Sequence, residues 1–207
     1  MVAAPNGAPD TQITGNPLAA TPSAAATFTF TGSDDVTPAG SLTFQCQLDV
    51  ADTAAWTACT SPRSHSGLTT GSHIFRVRAV DGSGNVDPQP AVYTWVIDQT
   101  APETVISANP GATTTSTSAS FSFSSSEAGS TFECALDAGA YAACTTPKAY
   151  SGLSVAAHTF RVRAIDAAGN VDGSPATYAW TIQSGGGGGT SCGTAQTVSS
   201  VADSWIE

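Results

Sequence analysis

The chain has 207 residues, a formal net charge of −10 and only 11 % charged side chains. Six basic residues against sixteen acidic ones exclude nucleic acid and anionic membrane surfaces as electrostatic partners. No window carries apolar residues at i, i+3, i+4 and i+7, which excludes an amphipathic helical protein, and no apolar run is long enough to be a membrane helix.

Period-two alternation runs along the chain instead. APDTQI (Ala8–Ile13) leads into FTF (Phe28–Phe30), FQCQLD (Phe44–Asp49), HIFRVRAVDGSGNVD (His73–Asp87) and a final strand around Trp95. After Asp98–Pro102 the same order begins again with APETVI (Ala101–Ile106), FSF (Phe121–Phe123), FECALD (Phe132–Asp137), HTFRVRAIDAAGNVD (His158–Asp172) and TYAWTI (Thr177–Ile182). Trp56–Ile97 lies on Tyr141–Ile182 without a gap, with 23 of 42 residues identical. Upstream the spacing changes in only two places, between the FTF and FQC segments and between the cysteines, which marks those places as loops. The chain is a tandem repeat of about 90 residues per unit. In TFRVRA, Phe160, Val162 and Ala164 point one way and Thr159, Arg161 and Arg163 the other. Roughly seven short strands per unit, with frequent turn signals, predict two all-β antiparallel sandwiches. The expected organisation is an N-terminal arm (1–7), repeat 1 (8–98), repeat 2 (99–183), a glycine-rich linker (184–190), and the start of a further truncated β-module or a disordered tail (191–207).

Cys46 and Cys59 flank one predicted hairpin, and Cys134 and Cys144 flank its equivalent. Both pairs sit in F-x-C-x-L-D before and C-T-x-P after. Repetition of the pair, rather than of one member, predicts the disulfides Cys46–Cys59 and Cys134–Cys144, each contributing roughly 3 kcal/mol on the chain-entropy view. Two cysteines per unit lack the further ligands that zinc needs. Disulfides imply an oxidising compartment, although MVAAPNGAPD has neither a basic nor an apolar leader region. With Cys192 left without a partner, the expectation is a piece of a longer exported protein.

APETVISANP, TFECALDAGAYAACTTPKAYSGL and HTFRVRAIDAAGNVDGSPATYAWTI resemble the bacterial immunoglobulin-like or fibronectin III-like repeats of large secreted and cell-surface proteins. The resemblance covers about residues 8–183. It implies two tandem immunoglobulin-like sandwiches that serve as spacer, stalk or adhesion modules, with neighbouring repeats, a surface protein or a glycan as partners. It brings no catalytic residues.

The residues themselves offer little chemistry. No G-x-S-x-G elbow, P-loop, H-E-x-x-H or G-x-G-x-x-G occurs. His73 and His158 repeat at the mouth of a strand, which points to a structural hydrogen bond. Lys148, the only lysine, aligns with Arg63, so no lysine–asparagine crosslink has a position common to both units. Arg76, Arg78, Arg161 and Arg163 face away from the core, where Glu133 is placed to pair with one of the second unit's two.

The repeated D-x-x-G-N-x-D run falls in the loop between the last two strands, at the end where the chain enters each sandwich. There the second unit gathers Asp166, Asn170 and Asp172 near Glu103, Glu127 and Asp98. The first unit offers Asp81, Asn85, Asp87, Asp10, Asp34 and Asp35. Calcium takes six to eight oxygens from such mixtures, and an ion at Asp98–Glu103 would stiffen the joint. The alternative is turn chemistry: Gly84–Asn85 and Gly169–Asn170 are turn formers, and Asp side chains cap turns. Turn chemistry explains Gly, Asn and the first Asp, and explains the second Asp and the acidic approach less well.

Two functions from different classes remain: an extracellular structural or adhesive spacer, and a carbohydrate-binding accessory module of a secreted enzyme. The second needs exposed aromatics. Trp95 and Trp180 read as core, leaving Trp56 and Tyr141. An enzyme in its own right is the least expected class.

Overall fold

The backbone follows the period-two pattern. The structure, a computed structural model, describes residues 6–50 and 55–185. The expected glycine-rich linker (184–190) lies almost wholly outside the described residues, and the expected module or tail (191–207), with Cys192, lies wholly outside them. In the first sandwich the strands are β1 (Asp10–Gly15), β2 (Ala20–Thr21), β3 (Ala25–Ser33), β4 (Thr43–Leu48), β5 (Thr57–Cys59), β6 (Arg63–Ser66), β7 (Gly71–Val80) and β8 (Ala91–Ile97). The second repeats them as β9 (Thr104–Ala108), β10 (Thr113–Thr114), β11 (Ala119–Ser125), β12 (Thr131–Leu136), β13 (Ala142–Cys144), β14 (Lys148–Tyr150), β15 (Ala157–Ile165) and β16 (Ala176–Ile182).

A three-stranded sheet, β1-β3-β6, faces a five-stranded one, β2-β8-β7-β4-β5; the second sandwich has β9-β11-β14 facing β10-β16-β15-β12-β13. Each unit thus has eight strands where the alternation predicted about seven. The extra ones are the two-residue β2 and β10, which run parallel to β8 and β16. The pairing of β1 with β3 shifts register between Ile13 and Gly15, and a proline follows in each unit, Pro17 or Pro110, which cannot donate to a ladder. The leading strand leaves its sheet there and joins the other. Tyr93 and Tyr178 pin the crossing by donating to the Pro17 and Pro110 carbonyls at 2.8 and 2.7 Å.

Alternation fills each interior the same way. His73, Phe75, Val77 and Ala79 of β7 point inward, while Arg76 and Arg78 face out. Phe28 stacks on Phe75 with centroids 4.1 Å apart and Trp95 lies 5.2 Å from Phe28; Phe121, Phe160 and Trp180 reproduce both spacings. Burying each of these rings stabilises a unit by about 1.5–3 kcal/mol. The substantial strand-to-strand packing lies within one sandwich or the other. The connection starts as a continuation of β8: Asp98 N–H donates to the Thr21 carbonyl, and Gln99 Nε2 to that of Pro22.

Candidate functional site

The D-x-x-G-N-x-D runs join β7 to β8 and β15 to β16. Asp81 Oδ1 accepts from Ser83 and Asn85 N–H at 2.9 and 2.7 Å, and Oδ2 accepts from the Asn85 and Asn6 side chains, each at 2.7 Å. Asp166 accepts from Asn170 N–H at 2.8 Å and from Asn170 Nδ2 at 2.7 Å. Gly84 and Gly169 sit at φ of 92° and 94°, the left-handed region where a side chain is strained. Desolvation alone would raise both carboxyls, but these hydrogen bonds outweigh it and hold Asp81 and Asp166 below the ordinary carboxylate value. The first Asp and the Asn are thus engaged in closing a turn.

The second Asp does something turn chemistry did not suggest. Asp87 and Asp172 are each only 2 % exposed. Asp172 Oδ1 accepts from Ser174 N–H at 2.8 Å, and Oδ2 reaches the other sheet to accept from Thr104 N–H at 3.0 Å. Thr104 Oγ1 in turn accepts from Ala164 N–H at 2.8 Å, tying β9 to β15. In the first unit Asp87 Oδ1 accepts from Gln89 N–H and Thr11 Oγ1 accepts from Ala79 N–H, each at 2.8 Å, while Asp87 Oδ2 is buried without a hydrogen-bond partner.

At the joint, Asp98, Glu127 and Asp166 offer carboxylate oxygens that lie within 4.8 Å of one another. Asn170 Nδ2 donates to the Asp98 carbonyl at 2.9 Å, and Asp98 Oδ1 accepts from Thr100 N–H. Desolvation, then the charges of Asp98 and Asp166, push the Glu127 carboxyl above its ordinary value. Glu103 stands outside this group; its Oε2 accepts from Ser174 Oγ at 3.3 Å. Among the described residues no second group of three acidic side chains forms. In the first unit Asp34 caps Val36 and Thr37 N–H, Asp35 accepts from Gly7 N–H, and Asp10 is exposed at the start of β1. The residue aligned with Asp98 there is Pro5, so the first unit lacks the third carboxylate in sequence.

Sequence reasoning found the histidines and missed their partners. His73 Nδ1 lies 2.6 Å from Asp49 Oδ2 and its Nε2 lies 2.7 Å from the Thr69 carbonyl; Asp49 Oδ1 also accepts from Ile74 N–H at 2.8 Å. His158, Asp137, Ser154 and Thr159 repeat the arrangement at 2.9, 3.0 and 2.8 Å. Asp49 and Asp137 adopt φ of 54° and 51°, a conformation Asp tolerates better than most residues. The signal was the D ending both copies of F-x-C-x-L-D; nothing in the sequence gave its distance from the histidine.

Both disulfides form as predicted, Cys46–Cys59 and Cys134–Cys144, stapling β4 to β5 and β12 to β13. On the outer face Arg163 pairs with Glu133 at 2.6 Å, and Arg78 Nε donates to Gln45 at 2.9 Å. The same guanidinium groups lie over the hairpin aromatics: Arg78 is 4.2 Å from the Trp56 ring centre and Arg163 is 4.3 Å from that of Tyr141.

No protein-family model and no curated protein matches the chain. Solved structures do. The chain is similar to the fibronectin(III)-like modules of Clostridium thermocellum CbhA, at 16 % identity over 84 % of this chain and 95 % of that one, with a TM-score of 0.47. It is similar to a 1.5-MDa bacterial ice-binding adhesin described for host cell surface retention (13 % identity, 86 % and 66 % covered, TM-score 0.40) and to murine CEACAM1b (10 %, 84 % and 99 %, 0.42). At these identities and TM-scores no family follows. The chain's own strand order shows a tandem of two β-sandwiches of the same topology.

Proposed function

We propose that the chain is an extracellular spacer: two disulfide-stapled sandwiches held in line to carry other parts of a secreted or surface protein, with neighbouring repeats as its partners. Covalent stapling of the same hairpin in both copies supports an oxidising compartment. The observation that carries the choice between spacer and glycan binder lies on the outer faces. A carbohydrate platform presents an open aromatic ring, whereas Trp56 and Tyr141, just ahead of β5 and β13, each have one face covered by an arginine of β7 or β15, the next strand but one. These contacts stiffen a sheet. Passing the whole chain over a panel of insoluble polysaccharides tests the choice: a spacer flows through, and retention abolished by Trp56→Ala reverses it.

For the joint we carry forward calcium as a proposal restricted to Asp98, Glu127 and Asp166. What supports it is the convergence of three carboxylates from two sandwiches, with Glu127 disfavoured as an anion by its surroundings. A bound cation would offset that repulsion and fix the angle between the units.

A further inference from the structure

We propose that each sandwich carries the same protonation-dependent clip, in which His73 and His158 hold the β4–β5 and β12–β13 turns against the loop ahead of β7 and β15 only while the clip retains a shared proton. The inference rests on acceptor arithmetic. Each ring meets a carboxylate at one nitrogen and a backbone carbonyl at the other. A carbonyl only accepts, and an ionised carboxylate only accepts, so both ring nitrogens must donate. Placing the proton on the Asp instead leaves the proton count unchanged. A neutral ring beside an ionised Asp aims a lone pair at an oxygen, in a site where the histidine is 6 % exposed.

The surroundings agree in both copies. His73 rests on Trp95 at 5.2 Å and His158 on Trp180 at 5.3 Å. His65 of β6 faces Asp49, with Arg63 of the same strand acting on His65, and Arg76 of β7 donates to the Val50 carbonyl. Around Asp137 stand Tyr150 of β14 and Arg161, which donates to the Asp137 and Gly139 carbonyls. Desolvation lowers His73, but the Asp49 and Thr69 hydrogen bonds win and its pKa is raised; for His158 the Ser154 and Asp137 bonds dominate in the same direction. His65, desolvated beside Arg63, moves the opposite way.

A raised folded-state pKa means that the folded chain binds this proton more tightly than the unfolded one. The clip's stabilisation is complete below the ordinary value of 6.5 and is lost as pH climbs through the folded-state value. Desolvation opposes, but the His158 bond prevails, in lowering Asp137, so that group's contribution is lost only as pH falls through a value under 3.8. The repeats are firmest in mildly acidic solution.

Imidazole titration of the whole chain by NMR tests this without any substitution. Two of the three histidines, assigned to 73 and 158, should titrate above 6.5, with His65 below it. Thermal melts from about pH 5.5 to 8.5 should show a falling midpoint, which His73→Gln plus His158→Gln should flatten. Titration of His73 and His158 at or below the ordinary value overturns the proposal, as does an equal pH slope in the parent and the double variant.

Discussion

Asn170 bridges the two sandwiches: its side-chain nitrogen donates 2.7 Å to Asp166 of its own loop and 2.9 Å to the main-chain carbonyl of Asp98, just beyond the last strand of the preceding unit. One residue of the repeated motif thereby both closes a turn and grips the joint. Asn170→Ala removes both bonds, and the second unit should lose about 1–2 kcal/mol in urea unfolding. Asn85→Ala, whose contact with the Gly7 carbonyl is longer at 3.3 Å, leaves that joint untouched.

Asp172→Ala should cost more than a turn-capping role predicts, about 1–3 kcal/mol, because it strands the buried Thr104 N–H and loosens β9. Denaturant unfolding measures it. A loss no larger than a few tenths of a kcal/mol would leave the residue as a turn former alone.

Reduction should lower the unfolding temperature of both units, since the crosslinks span 13 and 10 residues and each contributes about 3 kcal/mol. Non-reducing peptide mass mapping should recover Cys46–Cys59 and Cys134–Cys144. A link between a cysteine of one unit and a cysteine of the other would contradict the repeat.

Calcium at the joint makes a separate prediction. Melts in millimolar calcium and in chelator should differ, and Asp98→Ala should abolish the difference while the first unit's Asp81→Ala does not. Identical melts in both buffers would leave Asp98, Glu127 and Asp166 as an acidic joint without an ion.

The repeat made most of the fold legible. Aligned Phe28 and Phe121, Phe75 and Phe160, and Trp95 and Trp180 are buried as the alternation required, and both staples followed from paired cysteines. The short β2 and β10 were not legible, because a two-residue strand has no period. Their cause, a register shift followed by a proline, is local backbone geometry. At the candidate site the sequence named six oxygen-bearing residues of the second unit, of which Asp98, Glu127 and Asp166 bring carboxylates together. Asp172 was placed with the ligands yet is buried under Thr104, and Glu103 faces Ser174. Asp49 and Asp137 were passed over because a lone carboxylate in a turn looks ordinary until its histidine is seen 2.6 or 2.9 Å away.

The central claim, a stiff two-unit spacer, is tested most directly by backbone ¹⁵N relaxation on the whole chain. Longest strands of 10 and 9 residues at ~3.3 Å each give sandwiches roughly 30 Å long, and two in line make a body that tumbles anisotropically. The account predicts that amides of β1–β8 and of β9–β16 fit one shared elongated diffusion tensor. Two separate tensors, each with the faster tumbling of a single 90-residue sandwich, would contradict it.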